Sequence, residues 1–320
     1  MNSLSGSSPR VAVIDIGSNS IKSLVAVTAP DGSVHGLHSR TINARISAGI
    51  SQSAPELSEA GMMRGLDAIR TLLADAAVHA PARILLVATS AVRDARNGAE
   101  FRERVRVATG HTIRILSGDE EATFIGRGVT GDPALLGVRS FYLFDLGGGS
   151  LECLAFQERQ IAQAFSLQLG CVRLTEKFVA DPAAPFSPDS AALIAAHTRA
   201  EFSRASFAFS LKAGSAAVGA GGTVATVRAI LGERAGLRFE QTSPVVTVAQ
   251  LRDLLAWLGS LSLAERQQVP GLPAARADVY PAALATLLTI AEMGALTAFQ
   301  NTLHSLRYGI AAEALAATSR

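Results

Sequence analysis

Two short apolar runs along the chain each lead into an aspartate, a glycine-containing turn and a second apolar run. One copy spans residues 11–27 and the other spans residues 141–156. Apolar arms of this length around a tight turn predict β-hairpins with buried strands. The two copies align without a gap, so that Asp15 corresponds to Asp145. We therefore predict a duplicated fold in which each half of the chain is headed by one hairpin.

The remaining pattern alternates strands with helices, which predicts an α/β architecture. Ser58 is a predicted helix N-cap, and Ser117 and Glu120 have the spacing of a capping box. Residues from 248 onward are predicted to be mostly helical, with breaks at three prolines. Between these points the pattern predicts strands at 34–42, 83–88, 112–116, 161–169 and 216–220, and helices at 58–80, 97–108 and 193–211.

One segment, residues 281–299, is apolar enough to resemble a membrane span. Glu292 is its only charged residue, but alanine, threonine and glycine dominate it, which favours a buried helix. We therefore predict a protein with no membrane partner.

Length and charge narrow the class of protein further. A chain of 320 residues is long enough for two domains, and 48% hydrophobic with 18% charged residues is typical of a globular protein. A net charge of +2 gives no broad basic field, so duplex nucleic acid is not an expected partner. A polyanionic ligand remains an alternative if the arginines cluster locally in the fold.

The two cysteines, Cys153 and Cys171, lie in apolar strand-like runs. They read as small buried hydrophobic residues, since their number and spacing form neither a disulfide framework nor a metal site. This usage is consistent with a reducing cytoplasm, which is the expected location.

The hairpin tips carry the candidate chemistry. Three consecutive glycines cost conformational entropy on folding, so a turn built from them usually serves a purpose such as close approach of the backbone to a ligand. The N–H groups that converge in such a turn form a nest for an anion such as phosphate. Each tip by itself could be only a tight turn of the hairpin. The presence of two such tips in register favours a phosphate-binding role. Lys22 either reaches the phosphate or merely ends a strand. The predicted phosphate-binding positions are Gly17, Ser18, Asn19, Ser20, Gly147, Gly148, Gly149, Ser150 and Lys22.

Five segments in a fixed order resemble the exopolyphosphatase/guanosine pentaphosphate phosphatase (Ppx/GppA) family. They are residues 15–20, 89–93, 117–122, 145–152 and 169–174. The resemblance covers nearly the whole chain and implies two ribonuclease-H-like domains of the actin and sugar-kinase superfamily, with a cleft between them. We place these domains at residues 1–130 and 131–302, with a C-terminal helix at about 303–320 packing back on the first.

The resemblance also implies roles for individual residues. Asp145 and Glu152 match magnesium-binding positions, where Mg²⁺ (or Mn²⁺) would bridge phosphate oxygens, and Asp15 would hold the water shell of the cation or the tip. Arg93 would neutralise phosphate oxygens, although alone it reads equally as a surface ion-pair partner. Glu121 matches the general base, although alone it reads as a first-turn helix acid.

Gly221, Gly222 and Thr223 are predicted to touch a nucleotide or a distal phosphate, or only to permit close packing of a strand on a helix.

Several positions depart from the pattern of the family. Ala48 stands where an acidic residue is common, Tyr308 where glutamate is usual, and Ala282 and Ala283 where two glycines are common. The residues of the two hairpin tips match the family pattern. We therefore expect these departures to alter the substrate preference and not the reaction itself. With 320 residues we expect the short two-domain form, without the further C-terminal helical domains of longer members.

The first function expected is magnesium-dependent release of the terminal phosphate from inorganic polyphosphate. The alternatives are 5′-phosphate hydrolysis of guanosine pentaphosphate (pppGpp) by the same residues, and a non-catalytic sensor of a nucleotide or alarmone. A sugar kinase is a weaker hypothesis. The resemblance also implies a homodimer.

Overall fold

Both predicted hairpins form, and each heads its own β-sheet. The computed structural model describes residues 9–51, 54–212 and 214–318. The first sheet has the strand order β3-β2-β1-β4-β5, in which β1 and β2 are antiparallel and β1 and β4 are parallel. Its strands are β1 Val11–Ile16, β2 Ile21–Thr28, β3 Val34–Ile42, β4 Arg83–Ala88 and β5 Ile113–Ile115.

The second sheet repeats this order and adds one strand. It runs β8-β7-β6-β9-β11-β10, with β6 and β7 antiparallel and β6 and β9 parallel. Its strands are β6 Phe141–Leu146, β7 Leu151–Gln157, β8 Gln160–Leu167, β9 Ala216–Ala220, β10 Val245–Thr247 and β11 Ala298–Thr302. The predicted duplication of an α/β unit is confirmed.

The register of the two hairpins is also the same. Asp15 pairs with Lys22 across β1 and β2, and Asp145 pairs with Glu152 across β6 and β7. Every residue of β1 is buried, and so is every residue of β6 except half-buried Asp145. Central strands that are buried on both faces read as continuous apolar runs, which is why the hairpins stand out in the sequence.

Helices connect the strands and cover the sheets. Ser58 Oγ accepts from the Gly61 N–H at 3.1 Å and caps α1, and both bonds of the Ser117–Glu120 capping box are present at the start of α4. The helices are α1 Glu59–Ala77, α2 Ser90–Arg93, α3 Gly98–Thr109, α4 Gly118–Thr130, α5 Cys171–Phe178, α6 Pro188–Ala205, α7 Gly221–Arg234, α8 Val248–Ser260, α9 Leu263–Arg266, α10 Tyr280–Met293 and α11 Leu306–Thr318.

The apolar segment near the C-terminus forms the buried helix α10, of whose 14 residues the first 12 are buried. In the part of the chain that the structure describes, no helix has the length and hydropathy needed to cross a bilayer.

The tail from residue 248 is mostly helical, as predicted, but two short strands of this region were not predicted. Ala298–Thr302 forms β11 and pairs with β9 and β10, and short β10 itself precedes α8. The helix predicted to reach Leu211 ends at Ala205, because Ser206 adopts a left-handed conformation with φ of 57°. Strands of three and five residues carry little local signal, so pairing with neighbouring strands decides them.

The C-terminal helix α11 returns to the first sheet. It packs against α4, β1 and β2, as predicted for a helix in this region, and starts at Leu306. The domain boundaries at residues 130 and 302 stay a prediction. α4 and α11 approach closely at two glycines, since a Cβ built on Gly309 would lie 1.8 Å from the Phe124 carbonyl oxygen and one built on Gly128 would lie 2.2 Å from the Ser305 carbonyl oxygen.

Replacing Gly309 with alanine should therefore separate these helices and lower the free energy of unfolding by about 1–3 kcal/mol, the usual cost of overpacking. Urea denaturation measures the change. The matched control is Gly131→Ala at the end of α4, where the nearest atoms to an added Cβ are 3.5 Å away. Equal stability of the two variants would contradict this packing.

Candidate active site

The two hairpin tips are closed by the same hydrogen bond. The Gly17 N–H donates to the Ser20 carbonyl oxygen at 3.2 Å, and the Gly147 N–H donates to the Ser150 carbonyl oxygen at 2.9 Å. These two N–H groups belong to the turns themselves and are not free for a ligand. The prediction that the Gly17 and Gly147 N–H groups hold phosphate is corrected accordingly.

The carbonyl groups of the tips are bonded to the surrounding protein. The Ser18 carbonyl oxygen accepts from the N–H and Oγ of Ser47 at 3.3 and 3.1 Å, and the Gly148 carbonyl oxygen accepts from the Val172 N–H at 2.9 Å. Within the described residues, no hydrogen bond engages the N–H groups of 18–20 or 148–150. Backbone nests elsewhere bind anions through such donors, and binding of phosphate by these six stays a prediction.

The tips face and touch each other. A Cβ built on Gly149 would lie 2.3 Å from Ser90 Oγ and 2.6 Å from Ser18 Oγ, and one built on Gly148 would lie 3.2 Å from the Asn19 nitrogen. The Ser18 and Ser90 hydroxyl groups are 3.2 Å apart. The glycines of the second tip therefore permit close approach of the first tip, whereas the sequence suggested approach to a ligand alone.

Four acidic side chains surround the facing tips. Asp15 is 9% exposed, Glu121 5% and Glu152 3%, while Asp145 is half-buried. Burial raises the pKa of Asp15, an effect that nearby Lys22 opposes. Burial and the neighbouring Asp145 raise the pKa of Glu152 to about 7. The site therefore concentrates negative charge that water does not solvate.

Arg93, which is partly exposed, forms an ion pair with the buried Glu121 in the first half. Arg93 Nη1 donates to Glu121 Oε2 and to the Leu116 carbonyl oxygen, both at 3.0 Å. Burial, reinforced by Glu152, raises the pKa of Glu121. The adjacent Glu120 instead bonds the Ser117 N–H at the helix cap. The structure therefore excludes both alternatives: Arg93 does not pair at the protein surface, and Glu121 is not a solvent-exposed acid in the first turn of its helix.

The chemistry of the acidic side chains fits a hard divalent cation. Glu152 Oε1 accepts from Ser166 Oγ at 2.8 Å, and Asp145 Oδ2 accepts from Ser305 Oγ. In the described ranges no three His, Cys, Asp or Glu side chains converge enough to enclose a metal by themselves. Mg²⁺ does not require such a cage, because one or two carboxylates, water and substrate phosphates complete its shell. Asp145, Glu152 and Asp15 as a site for Mg²⁺ or Mn²⁺ stay a prediction.

Cationic side chains balance this charge. Lys22 lies on β2 opposite Asp15, where burial lowers its pKa and Asp15 opposes the change. Arg307 on α11 donates to the Ser23 carbonyl oxygen at 2.6 Å and is electrostatically coupled to Asp15 and Asp145. Sequence reasoning missed Arg307, although it adjoins a position noted for its departure from the family. The predicted C-terminal helix did not indicate which of its side chains would lie near the acidic residues.

The glycines that open α7 lie beside the second tip. Gly221 has φ of 73°, and a Cβ there would lie 2.2 Å from Asp145 Oδ1. Thr223 Oγ1 donates to the Leu146 carbonyl oxygen at 2.7 Å, and Arg276, also missed from the sequence, donates to the Gly222 carbonyl oxygen at 2.8 Å. These contacts show strand–helix packing, and a distal substrate contact by Gly221, Gly222 and Thr223 stays a prediction.

The residues that depart from the family pattern lie in varied surroundings. Ala48 is exposed, whereas Ala282 and Ala283 are buried in α10. Tyr308 stacks on His304, with ring centroids 3.9 Å apart.

The duplicated sheets and the facing tips with their buried charges define an α/β protein whose polar site is formed jointly by two related halves. The profile described as the Ppx/GppA phosphatase family matches residues 25–317. The chain belongs to this family.

Relatives and solved structures agree with this assignment. The chain is 31% identical over 312 residues to a guanosine-5′-triphosphate,3′-diphosphate pyrophosphatase of Vibrio vulnificus, covering 97% of this chain and 60% of that relative. It thus spans only part of the length of the curated relative. An exopolyphosphatase from Cytophaga hutchinsonii superposes with a TM-score of 0.86 at 22% identity, covering 96% of this chain and 98% of that one. An Aquifex aeolicus family member gives 0.77 at 23% identity, covering 98% and 99%.

The raised pKa of Glu152 predicts how stability depends on pH when no divalent cation is present. Between its ordinary pKa of 4.5 and about 7, the folded protein keeps a proton that the unfolded chain has lost. The free energy of unfolding should therefore fall as the pH rises from about 5 to 7. Glu152→Gln should reduce this slope, leaving the part due to Asp15 and Glu121, and should raise Tm at pH 7.5.

Thermal unfolding in EDTA at pH 5.5, 6.5 and 7.5 measures this effect. The control is Glu158→Gln, at an exposed surface ion pair with Arg139, which should keep the slope of the unchanged protein. The same slope in Glu152→Gln would show that this carboxyl group is not responsible.

Proposed function

We propose that this protein hydrolyses the terminal phosphoanhydride bond of a polyphosphorylated substrate and releases inorganic phosphate. The observation that carries the proposal is the ion pair of Arg93 with the buried Glu121, beside two tips whose N–H groups at 18–20 and 148–150 are unengaged. A phosphoryl group held by N–H donors from both sides needs a base to activate water and a cation to balance its charge. Membership of a phosphatase family supports the same reaction.

Each proposed role follows from the surroundings of the residue. The N–H groups of 18–20 and 148–150 would bind the oxygens of the terminal phosphoryl group. Glu121 would accept a proton from the attacking water as a bond forms from water oxygen to phosphorus and the bond to the bridging oxygen breaks. Burial raises the pKa of Glu121, which makes its carboxylate a stronger base than an exposed glutamate. Arg93 would hold Glu121 in place and neutralise phosphate oxygens.

A divalent cation fits this scheme. Mg²⁺ or Mn²⁺, held by Asp145 and Glu152 with Asp15 near its water shell, would supply further charge neutralisation on the phosphate oxygens.

We propose pppGpp as the first candidate substrate. The support is the name of the relatives that match at 30–32% identity, guanosine-5′-triphosphate,3′-diphosphate pyrophosphatase. Those relatives extend beyond the matched region, so their activity enters here as a proposal. The order of the two substrates is thus the reverse of the order expected from the sequence.

Inorganic polyphosphate is the second candidate. Lys22, Arg276 and Arg307 lie around the carboxylates of the tips and offer positive charge to phosphates beyond the terminal one. Such charge serves a chain of phosphates whether or not a nucleoside follows. Phosphate release from pppGpp, polyphosphate and ATP, each with Mg²⁺ and with EDTA, separates the candidates. Release from none of them would end the proposal.

Glu121→Gln should lower kcat by about 10²–10⁴-fold, the usual contribution of general base catalysis, while the substrate still binds. Steady-state phosphate release measures the rate and calorimetry measures binding. Glu120→Gln is the matched control, since that side chain serves the helix cap and should leave kcat within about 2-fold. Equal turnover by Glu121→Gln would exclude Glu121 as the base, and binding without turnover in the unchanged protein would favour a sensor.

A further inference from the structure

Arg173, in the first turn of α5, is a charged side chain that the proposed reaction does not use. Its helix is attached to the second tip by backbone hydrogen bonds. The Cys171 N–H donates to the Gly147 carbonyl oxygen at 3.0 Å, and the Val172 N–H donates to the Gly148 carbonyl oxygen at 2.9 Å. The second tip therefore places the backbone of Arg173.

The guanidinium group of Arg173 connects three separate parts of the chain. Nε donates to the Gly149 carbonyl oxygen at 3.1 Å, and Nη1 donates to the Ile50 carbonyl oxygen at 3.0 Å. Nη2 donates to Asp94 Oδ2 at 2.9 Å, and the side chain is only 14% exposed. The planar fork of arginine suits three acceptors in different directions, and the single ammonium group of lysine does not.

Asp94 continues this connection to the Arg93–Glu121 pair. Its Oδ1 lies 3.5 Å from Arg93 Nε, while Arg93 Nη1 is 3.0 Å from Glu121 Oε2. The carboxylate of Asp94 thus lies between two guanidinium groups that would otherwise repel each other. Without Arg173, Asp94 Oδ2 would keep only the 3.4 Å hydrogen bond from Gln168 Nε2, so the carboxylate would be freer to turn toward Arg93 and compete with Glu121 for it.

We infer that Arg173 is a positioning residue that holds Arg93 and Glu121, on the first half, in register with the phosphate-holding tip of the second half. The inference rests on the proposed function, since the register matters only if Glu121 acts on a group held at that tip. Misplacement of reacting groups by about 1 Å costs roughly 100-fold in rate, so a residue that fixes this distance affects kcat without touching the substrate.

Steady-state phosphate release by Arg173→Met and Arg173→Lys tests the inference. We expect kcat to fall by about 10–100-fold while KM stays within about 3-fold, because the lost interaction orders the reacting groups and does not bind the substrate. Lysine should not restore kcat. The matched control is Arg199→Met, which removes an exposed arginine paired with Glu292 on the second half and should leave kcat unchanged.

A double-mutant cycle tests whether Arg173 acts through Asp94. Asp94→Asn should lower kcat, and the combination of Asp94→Asn with Arg173→Met should lose no more than the worse single variant. Multiplied losses, or a raised KM with unchanged kcat, would overturn the inference, because Arg173 would then act on the substrate directly. If Arg173→Met does not fold in a thermal scan, Arg173→Lys and Asp94→Asn carry the test.

The outcomes separate this inference from the proposed function. Phosphate release by the unchanged protein with full kcat in Arg173→Met and Arg173→Lys overturns the positioning role alone. No release by the unchanged protein from pppGpp, polyphosphate or ATP overturns the proposed function, and the positioning role with it.

Discussion

The contact between the two hairpin tips is the constraint on which the site depends. Gly148 and Gly149 lie so close to Ser18 and Ser90 that no side chain fits between them. The carbonyl groups of Ser18 and Gly148 accept hydrogen bonds from the surrounding protein, while the N–H groups of 18–20 and 148–150 have no partner among the described residues. One contact therefore explains the triple glycine and brings the two sets of N–H donors together at one site.

Charge balance is the second requirement. Burial, reinforced by repulsion between neighbouring carboxylates, raises the pKa values of Glu121 and Glu152, and cationic side chains offset part of this cost. Arg93 belongs to the first half, Arg173 to the second, and Arg307 to the C-terminal helix. The ion pair of Arg173 with Asp94 joins the two halves, so separating them would break it.

Much of the fold followed from local pattern. Long apolar strands, the caps at Ser58 and Ser117 and the repeated hairpin are determined by residues near one another in the chain, and all of them are confirmed. The strands β10 and β11 were missed because three or five residues of mixed polarity become a strand only when they find a partner. Membership of the Ppx/GppA family was also recognisable from five motifs, and the family profile confirms it.

The sequence by itself determined the duplication, the equivalence of Asp15 with Asp145, and the residue types available for phosphate chemistry. Only the tertiary structure decided that Gly17 and Gly147 close their own turns, that Arg307 bonds the Ser23 carbonyl oxygen, and that Arg173 meets Asp94. The physical reason is the separation along the chain over which each kind of interaction acts. Hydrophobic period and capping act within a few residues of the chain, whereas ion pairs between distant segments exist only after the two sheets have folded and met.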